Sequence, residues 1–266
     1  MPDRSYACPY ETGWSSSTRP AAQAFWDWHG ALAEAAVPPG PRLEEAYERA
    51  QTGEPLRLVP DSVSTAAYDA CAAHGLKRDY LAMQVQALPQ HQPPVRFETG
   101  ADLERFLDRW IVPHGRLLAG LVPGMKQLKR ATDHLSRGFF YADTVLHLPA
   151  HMDADRLYLP QDDLAQVGLS MWDLRTESTT EPVRKVLWKQ MIRARDALAR
   201  GHAALNRLTW RAKWRLKFWW IRTLELLNEV ERRDFDVWSA PITLNRWRTA
   251  QVYLQTYTGR ATARMS

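Results

Sequence analysis

The stretch Asp155-Arg-Leu-Tyr-Leu-Pro-Gln-Asp-Asp-Leu-Ala-Gln-Val-Gly168 sets an arginine, Arg156, and a tyrosine, Tyr158, just ahead of a proline. Pro160 has no amide hydrogen, so it interrupts the helix pattern before it and favours a fresh start after it. The acidic pair Asp162-Asp163 then falls in the first turn of a new helix, where carboxylates meet the positive end of the backbone dipole. Asp153, Asp155 and Asp162 all lie close enough in sequence to give Arg156 a helix-end salt bridge.

Outward from this stretch in both directions, apolar residues recur at three- and four-residue spacing and alternating runs are scarce, which predicts an all-α chain built as a helical bundle. Proline and glycine place the breaks at Pro38-Pro-Gly-Pro41, Thr52-Gly-Glu-Pro55, Pro89 to Pro94, Tyr158-Leu-Pro160 and Ser178 to Pro182. None is long enough to separate domains. The 266 residues read as one helical domain over 19–259, preceded by an irregular segment 1–18 and followed by a tail 260–266.

No apolar run reaches about 18 residues, so no membrane span is expected, and the polar start Met1-Pro-Asp-Arg4 does not resemble a signal peptide. A cytoplasmic protein is the expectation. Cys8 and Cys71 are the two cysteines and lack metal-ligand spacing. A net charge of +5 favours anionic partners such as diphosphates, acidic lipid headgroups or nucleic acid.

The segment 208–230 concentrates aromatic and basic residues, with Trp210, Trp214, Phe218, Trp219 and Trp220 set among Arg211, Lys213, Arg215, Lys217 and Arg222. Such a helix can lie on an acidic membrane surface as a peripheral contact. Leu208, Ile221, Leu224, Leu227 and Val230 also extend an ordinary helical stripe, which makes it a core helix with a basic rim. No nucleic-acid module surrounds it, so nucleic acid is not an expected partner.

Several segments together resemble the squalene/phytoene synthase family. The 155–168 stretch is similar to the family's arginine-x-tyrosine-x-proline-glutamine-acidic-aspartate-leucine segment. Val95-Arg-Phe-Glu-Thr99 with Asp102-Leu-Glu-Arg-Phe-Leu-Asp108, and Val112-Pro-His-Gly-Arg-Leu117, resemble segments upstream of it, the last nearest the hydroxysqualene synthase branch. Asn228-Glu-Val-Glu-Arg-Arg-Asp-Phe-Asp-Val-Trp-Ser239 and Leu244-Asn-Arg-Trp247 resemble segments near the family's end. The resemblance implies an isoprenoid-synthase-like bundle around a central cavity, where two aspartate-rich helices hold magnesium and a prenyl diphosphate is ionised. It also implies diphosphate contacts for Arg156 and Tyr158, with Arg116 and His114 as further substrate-binding candidates. A guanidinium fork suits phosphate oxygens.

The metal-binding aspartates are largely replaced. Counting back from Arg156, the second aspartate-rich motif falls on Asp143, His147 and His151, and a further family aspartate falls on His91. In the first motif, aligned on Arg19-Pro20, the positions read Ala33, Glu34 and Val37. Magnesium prefers oxygen ligands, so a conventional magnesium cluster is not expected here. His29 lies one turn before the first motif, so His29, His91, His114, His147 and His151 gather at positions that line the family's cavity. On a straight helix Asp143 and His151 stand about 12 Å apart, too far to share one ion, and Pro149 is expected to turn His147 and His151 away from each other.

Three readings follow. The first is an isoprenoid-processing enzyme performing prenyl transfer, cyclisation or hydration, with Asp143, His147, His151 and His91 as catalytic acid-base groups. Trp26, Trp28, Trp110 and Phe139-Phe140-Tyr141 would line its cavity. The second is an iron or zinc enzyme drawing ligands from Glu34, His91, Asp143, His147 and His151. The third is a non-catalytic binding or assembly protein that keeps the old cavity for an apolar molecule. Asp133-His134 reads as a solvated helix face.

Overall fold

A proline in the opening turn forfeits no helical hydrogen bond, and Arg19-Pro20 accordingly begins the first helix. The computed structural model describes residues 14–37 and 40–258. In chain order the helices are α1 (Arg19–Glu34), α2 (Gly40–Thr52), α3 (Asp61–His74), α4 (Asp79–His91), α5 (Gly100–Arg109), α6 (Ile111–Gly120) and α7 (Lys129–Leu146). There follow α8 (Leu148–Asp153), α9 (Gln161–Ala165), α10 (Met171–Leu174), α11 (Glu181–His202), α12 (Trp210–Arg232) and α13 (Arg246–Thr258). The all-α expectation holds, with no strand among the described residues. Residues 1–13 of the expected irregular segment, the 38–39 break and the tail 260–266 fall outside the described residues.

Most punctuation lies where glycine and proline put it. Gly53 follows α2 with φ +87, a conformation that suits a residue without a Cβ, and Pro160 caps α9. Pro89 is the exception, since α4 runs through it and ends two residues later at His91. A proline so near a helix end forfeits one hydrogen bond but still leaves room for a last turn, which carries His91 inward.

The core is one contiguous cluster, drawn from α1, α3, α4, α6, α7, α11 and α12 among others. Helix α7 lies along α11 more extensively than any other pair of helices. Two glycines permit that approach. A Cβ on Gly138 would sit 2.9 Å from the Leu198 backbone nitrogen, and one on Gly201 would sit 2.5 Å from Leu135. The close seat fixes α7, which carries Asp143.

Two segments distant in sequence run side by side. Val95 donates to the Asp155 carbonyl and Leu157 to the Val95 carbonyl, both at 3.0 Å, while Gln161 donates to the Phe97 carbonyl at 2.8 Å. These bonds, with the bridge between Val95 and Arg156, hold the 155–168 stretch against 95–98 and set Arg156 and Tyr158 against the core.

The acidic pair behaves differently from a simple helix start. Helix α9 has no side-chain cap hydrogen bond, and Asp163 is buried against α11, where Lys189 approaches at 2.6 Å and Arg193 engages both carboxylate oxygens. Burial of a charge requires compensation, and α11 supplies two cations. Asp163→Ala is expected to lower stability by about 2 kcal/mol, because both abandoned cations can turn toward water. A thermal melt should show a drop of roughly 4–8 °C; an unchanged melting temperature would mean the cluster contributes no net stability.

Helix α12 packs as a core helix, burying Leu216, Phe218, Trp219, Trp220 and Leu227, with the Trp220 indole donating to the Leu198 carbonyl at 3.1 Å. Trp210 at its start is exposed. Among the described residues no helix is long and apolar enough to cross a membrane.

Candidate functional site

Helix α7 stops at Leu146 because Pro149 has no amide hydrogen and its ring would clash with the carbonyl four residues back. His147, at φ −118 and ψ 24, joins α7 to α8. The joint does not turn the two histidines apart as expected; i→i−4 bonds from His147 to Asp143 and from His151 to His147 run across it, and both side chains reach Asp143. His147 Nδ1 lies 2.7 Å from one carboxylate oxygen and His151 Nε2 lies 3.1 Å from the other. A carboxylate only accepts, so the nitrogens facing it carry the protons. The Asp143 and His151 side chains thus span the separation that their helix positions set. His147 is partly exposed, whereas Asp143 and His151 are buried.

A second cluster is built from α1, α4 and α6 around Trp110. The His29 ring stacks on His114 at 4.1 Å and lies 4.5 Å from Trp110, whose other neighbour is His91 at 4.3 Å. Trp26 meets His114 edge-on at 4.7 Å. His29 Nδ1 donates to the Gln84 side-chain oxygen at 2.7 Å, and Gln84 is itself held by the Tyr80 carbonyl at 3.0 Å. The Tyr158 hydroxyl and His91 Nδ1 are 3.2 Å apart, and the His151 ring stands edge-on to Tyr158 at 5.1 Å, so the two clusters meet at this tyrosine.

Burial sets the charge of this column. It lowers the pKa of His29 from the usual 6.5 to about 4, against a smaller upward pull from Gln84. For His91 burial, reinforced by Arg156, His29 and His151, brings the value down to about 2. Burial beside His29 holds His114 well below its usual range. All three imidazoles are neutral near pH 7.

The remaining expected site residues are placed as follows. Arg156 donates to the Ala33 carbonyl at 3.0 Å rather than to Asp153, Asp155 or Asp162, and its Nε is buried without a partner among the described residues. Asp155 is taken instead by Arg96 at 2.5 Å and Arg175 at 3.1 Å. Arg116 is closed on Asp133 through two bonds of 2.7 Å and lies over the Tyr80 ring. Two of its N–H groups are held by Asp133, which is partly buried rather than a solvated residue. Glu34 is exposed at the end of α1.

Glu34, His91, Asp143, His147 and His151 are not brought together as a ligand set. Among the described residues no group of three or more histidine, cysteine or acidic side chains could hold a metal ion. The Asp143 carboxylate is bonded to both imidazoles of the helix pair. Nor does the donor set fit magnesium, which requires several oxygen ligands in octahedral geometry.

Gln84 is the site residue that sequence reading missed. Its signal was a lone amide among the apolar positions Leu81, Ala82, Val85 and Leu88 of α4.

A family model described as Squalene/phytoene synthase matches residues 15–248 of the chain. The chloroplastic phytoene synthase of Narcissus pseudonarcissus is 31% identical over 81 residues, which are 30% of this chain and 19% of that protein. The matched region thus spans about a fifth of that relative. Among solved structures, the squalene synthase HpnC from Alicyclobacillus acidocaldarius superposes with a TM-score of 0.67 at 19% identity, covering 86% of this chain and 92% of that one. A dehydrosqualene synthase solved with a ligand superposes at 0.76 with 12% identity, covering 97% and 92%. At these identities the likeness establishes the fold.

Proposed function

We propose, since the chain belongs to the squalene/phytoene synthase family, that its helical body takes up an isoprenoid and processes it by acid-base chemistry without a magnesium cluster. The substrate is a prenyl diphosphate or a compound derived from one, and the reaction is prenyl transfer, cyclisation or hydration. The observation that carries this reading is the Asp143 carboxylate, buried at the second motif and bonded to His147 at 2.7 Å and His151 at 3.1 Å.

A carboxylate bonded to one imidazole nitrogen fixes the ring's orientation and tautomer and stabilises the imidazolium formed when the other nitrogen takes a proton. His151, buried beside Tyr158, is the acid-base group; His147, partly exposed, connects Asp143 to solvent. Tyr158, edge-on to His151, and His91 lie beside it, and Arg156 supplies positive charge.

The test is product analysis by gas chromatography and mass spectrometry, with farnesyl diphosphate and farnesol as substrates in the presence of EDTA. Conversion should survive the chelator and fall roughly a hundredfold in Asp143→Asn, which spoils the tautomer while keeping the shape. Pyrophosphate release that depends on added magnesium would overturn the reading.

A second reading, a non-catalytic binding protein of the same fold, draws support from the pairing of Arg116 with Asp133, which offsets one of the cations expected to meet a substrate. Binding of either probe without turnover distinguishes it. For peripheral membrane contact the support is Trp210, exposed ahead of the basic residues of α12.

A further inference from the structure

His114 on α6 is 3% exposed, and neither of its ring nitrogens has a hydrogen-bond partner among the described residues. The indole nitrogen of Trp26, whose ring meets His114, is likewise buried and unpartnered, and so is Nε2 of His91 beyond Trp110. Folded proteins keep few such groups, because each forfeits its bonds to water and receives nothing in exchange. Several in one column of rings call for a partner, water or a guest, that both donates and accepts hydrogen bonds.

The nature of the guest follows from the charges around it. Gln84 holds His29, and His29 in turn holds His114 by stacking, so this wall is fixed before anything binds. The imidazoles are neutral, as burial dictates. Arg116 is bonded to Asp133, and Arg156, whose charge acts on His91, stands at the other end of the column from His114 and Trp26. A diphosphate carries several negative charges and is costly to bury without cations to match. A hydroxyl group carries none, accepts from an indole N–H, and donates to or accepts from an imidazole nitrogen.

We propose that the His114–Trp26 end of the ring column binds the hydroxyl group of an uncharged isoprenoid alcohol. The proposal rests on the isoprenoid reading above and narrows it, making the substrate one whose diphosphate has already been removed. The reaction that supplies it must therefore be the hydrolysis or displacement of a prenyl diphosphate.

The test is titration of the full chain with farnesol, farnesyl diphosphate and the hydrocarbon farnesane, followed by tryptophan fluorescence and calorimetry. Farnesol is expected to bind at least roughly tenfold more tightly than either of the others. His114→Phe and Trp26→Phe, which keep an aromatic ring at each position and delete the nitrogens, should each weaken farnesol roughly tenfold and leave farnesane unchanged. Trp26 is the half-buried member, so its variant tests the site even if His114→Phe fails to fold.

Farnesyl diphosphate binding as tightly as farnesol would overturn the proposal while leaving the isoprenoid reading intact. So would equal affinity for farnesol and farnesane, which would mean the nitrogens are satisfied by water. Failure of all three probes to bind would remove the isoprenoid reading together with the proposal.

Discussion

Lowering the pH from 7.5 to 5.5 is expected to destabilise the protein by about 4 kcal/mol, well before its carboxylates titrate. His29, His91 and His114 are buried and neutral, with pKa values lowered to about 4, to about 2, and well below the usual range. In the unfolded chain each returns to about 6.5. Between the folded and unfolded values the unfolded state binds more protons, so stability rises with pH through that window and falls as the solution is acidified. It is fully present above about pH 7 and lost progressively below 6.5. Each histidine costs about 1.4 kcal/mol for each pH unit inside the window. One unit below 6.5, the three together give the figure above.

Melts followed by circular dichroism at constant ionic strength should show the melting temperature falling by roughly 8–16 °C across this range. His114→Phe should remove about a third of the slope. A melting temperature flat to pH 5.5 would show that these imidazoles gain water or a counter-charge in the fold. Asp155, Asp173 and Asp236, whose pKa values are held down by hydrogen bonds and arginines, titrate well below this window and leave it to the histidines.

The all-helical architecture was legible because it depends on spacing, which is local: apolar periodicity gave the class, and proline and glycine marked several of the breaks, without knowledge of the helices' partners. The same holds for the positions of Asp143, His147 and His151, fixed by counting back from Arg156. Their geometry was not legible. Whether Pro149 turns the two histidines apart or leaves both within reach of Asp143 depends on the path of the backbone through His147, which spacing alone does not give. Arg116 illustrates the same limit. Its sequence context resembles a substrate-binding segment, yet Asp133, on the next long helix, holds two of its N–H groups. Asp163 was read from its place in a first turn, while the cations that hold it stand on α11. Local signals identify what a residue is suited to do, and tertiary packing selects among those roles.

The ring column extends that point to stability, and Trp110→Ala is its severest test. Trp110 is 1% exposed at the junction of α5 and α6, with His29 on one side, His91 on the other and Phe106 at 6.1 Å. Removing it deletes the largest apolar surface between two neutral imidazoles, at a cost of about 3–5 kcal/mol. The melting temperature should drop by roughly 6–20 °C, while Trp110→Phe, which keeps a ring in place, should lose much less. The alanine variant should also lose part of the acid sensitivity described above. Water entering beside His29 and His91 would raise their folded pKa values toward 6.5 and shrink the proton difference between the states. A large fall in stability with an unchanged pH slope would mean that the column is apolar packing only. A fall in both would show that Trp110 is what keeps the imidazoles dry, and therefore uncharged.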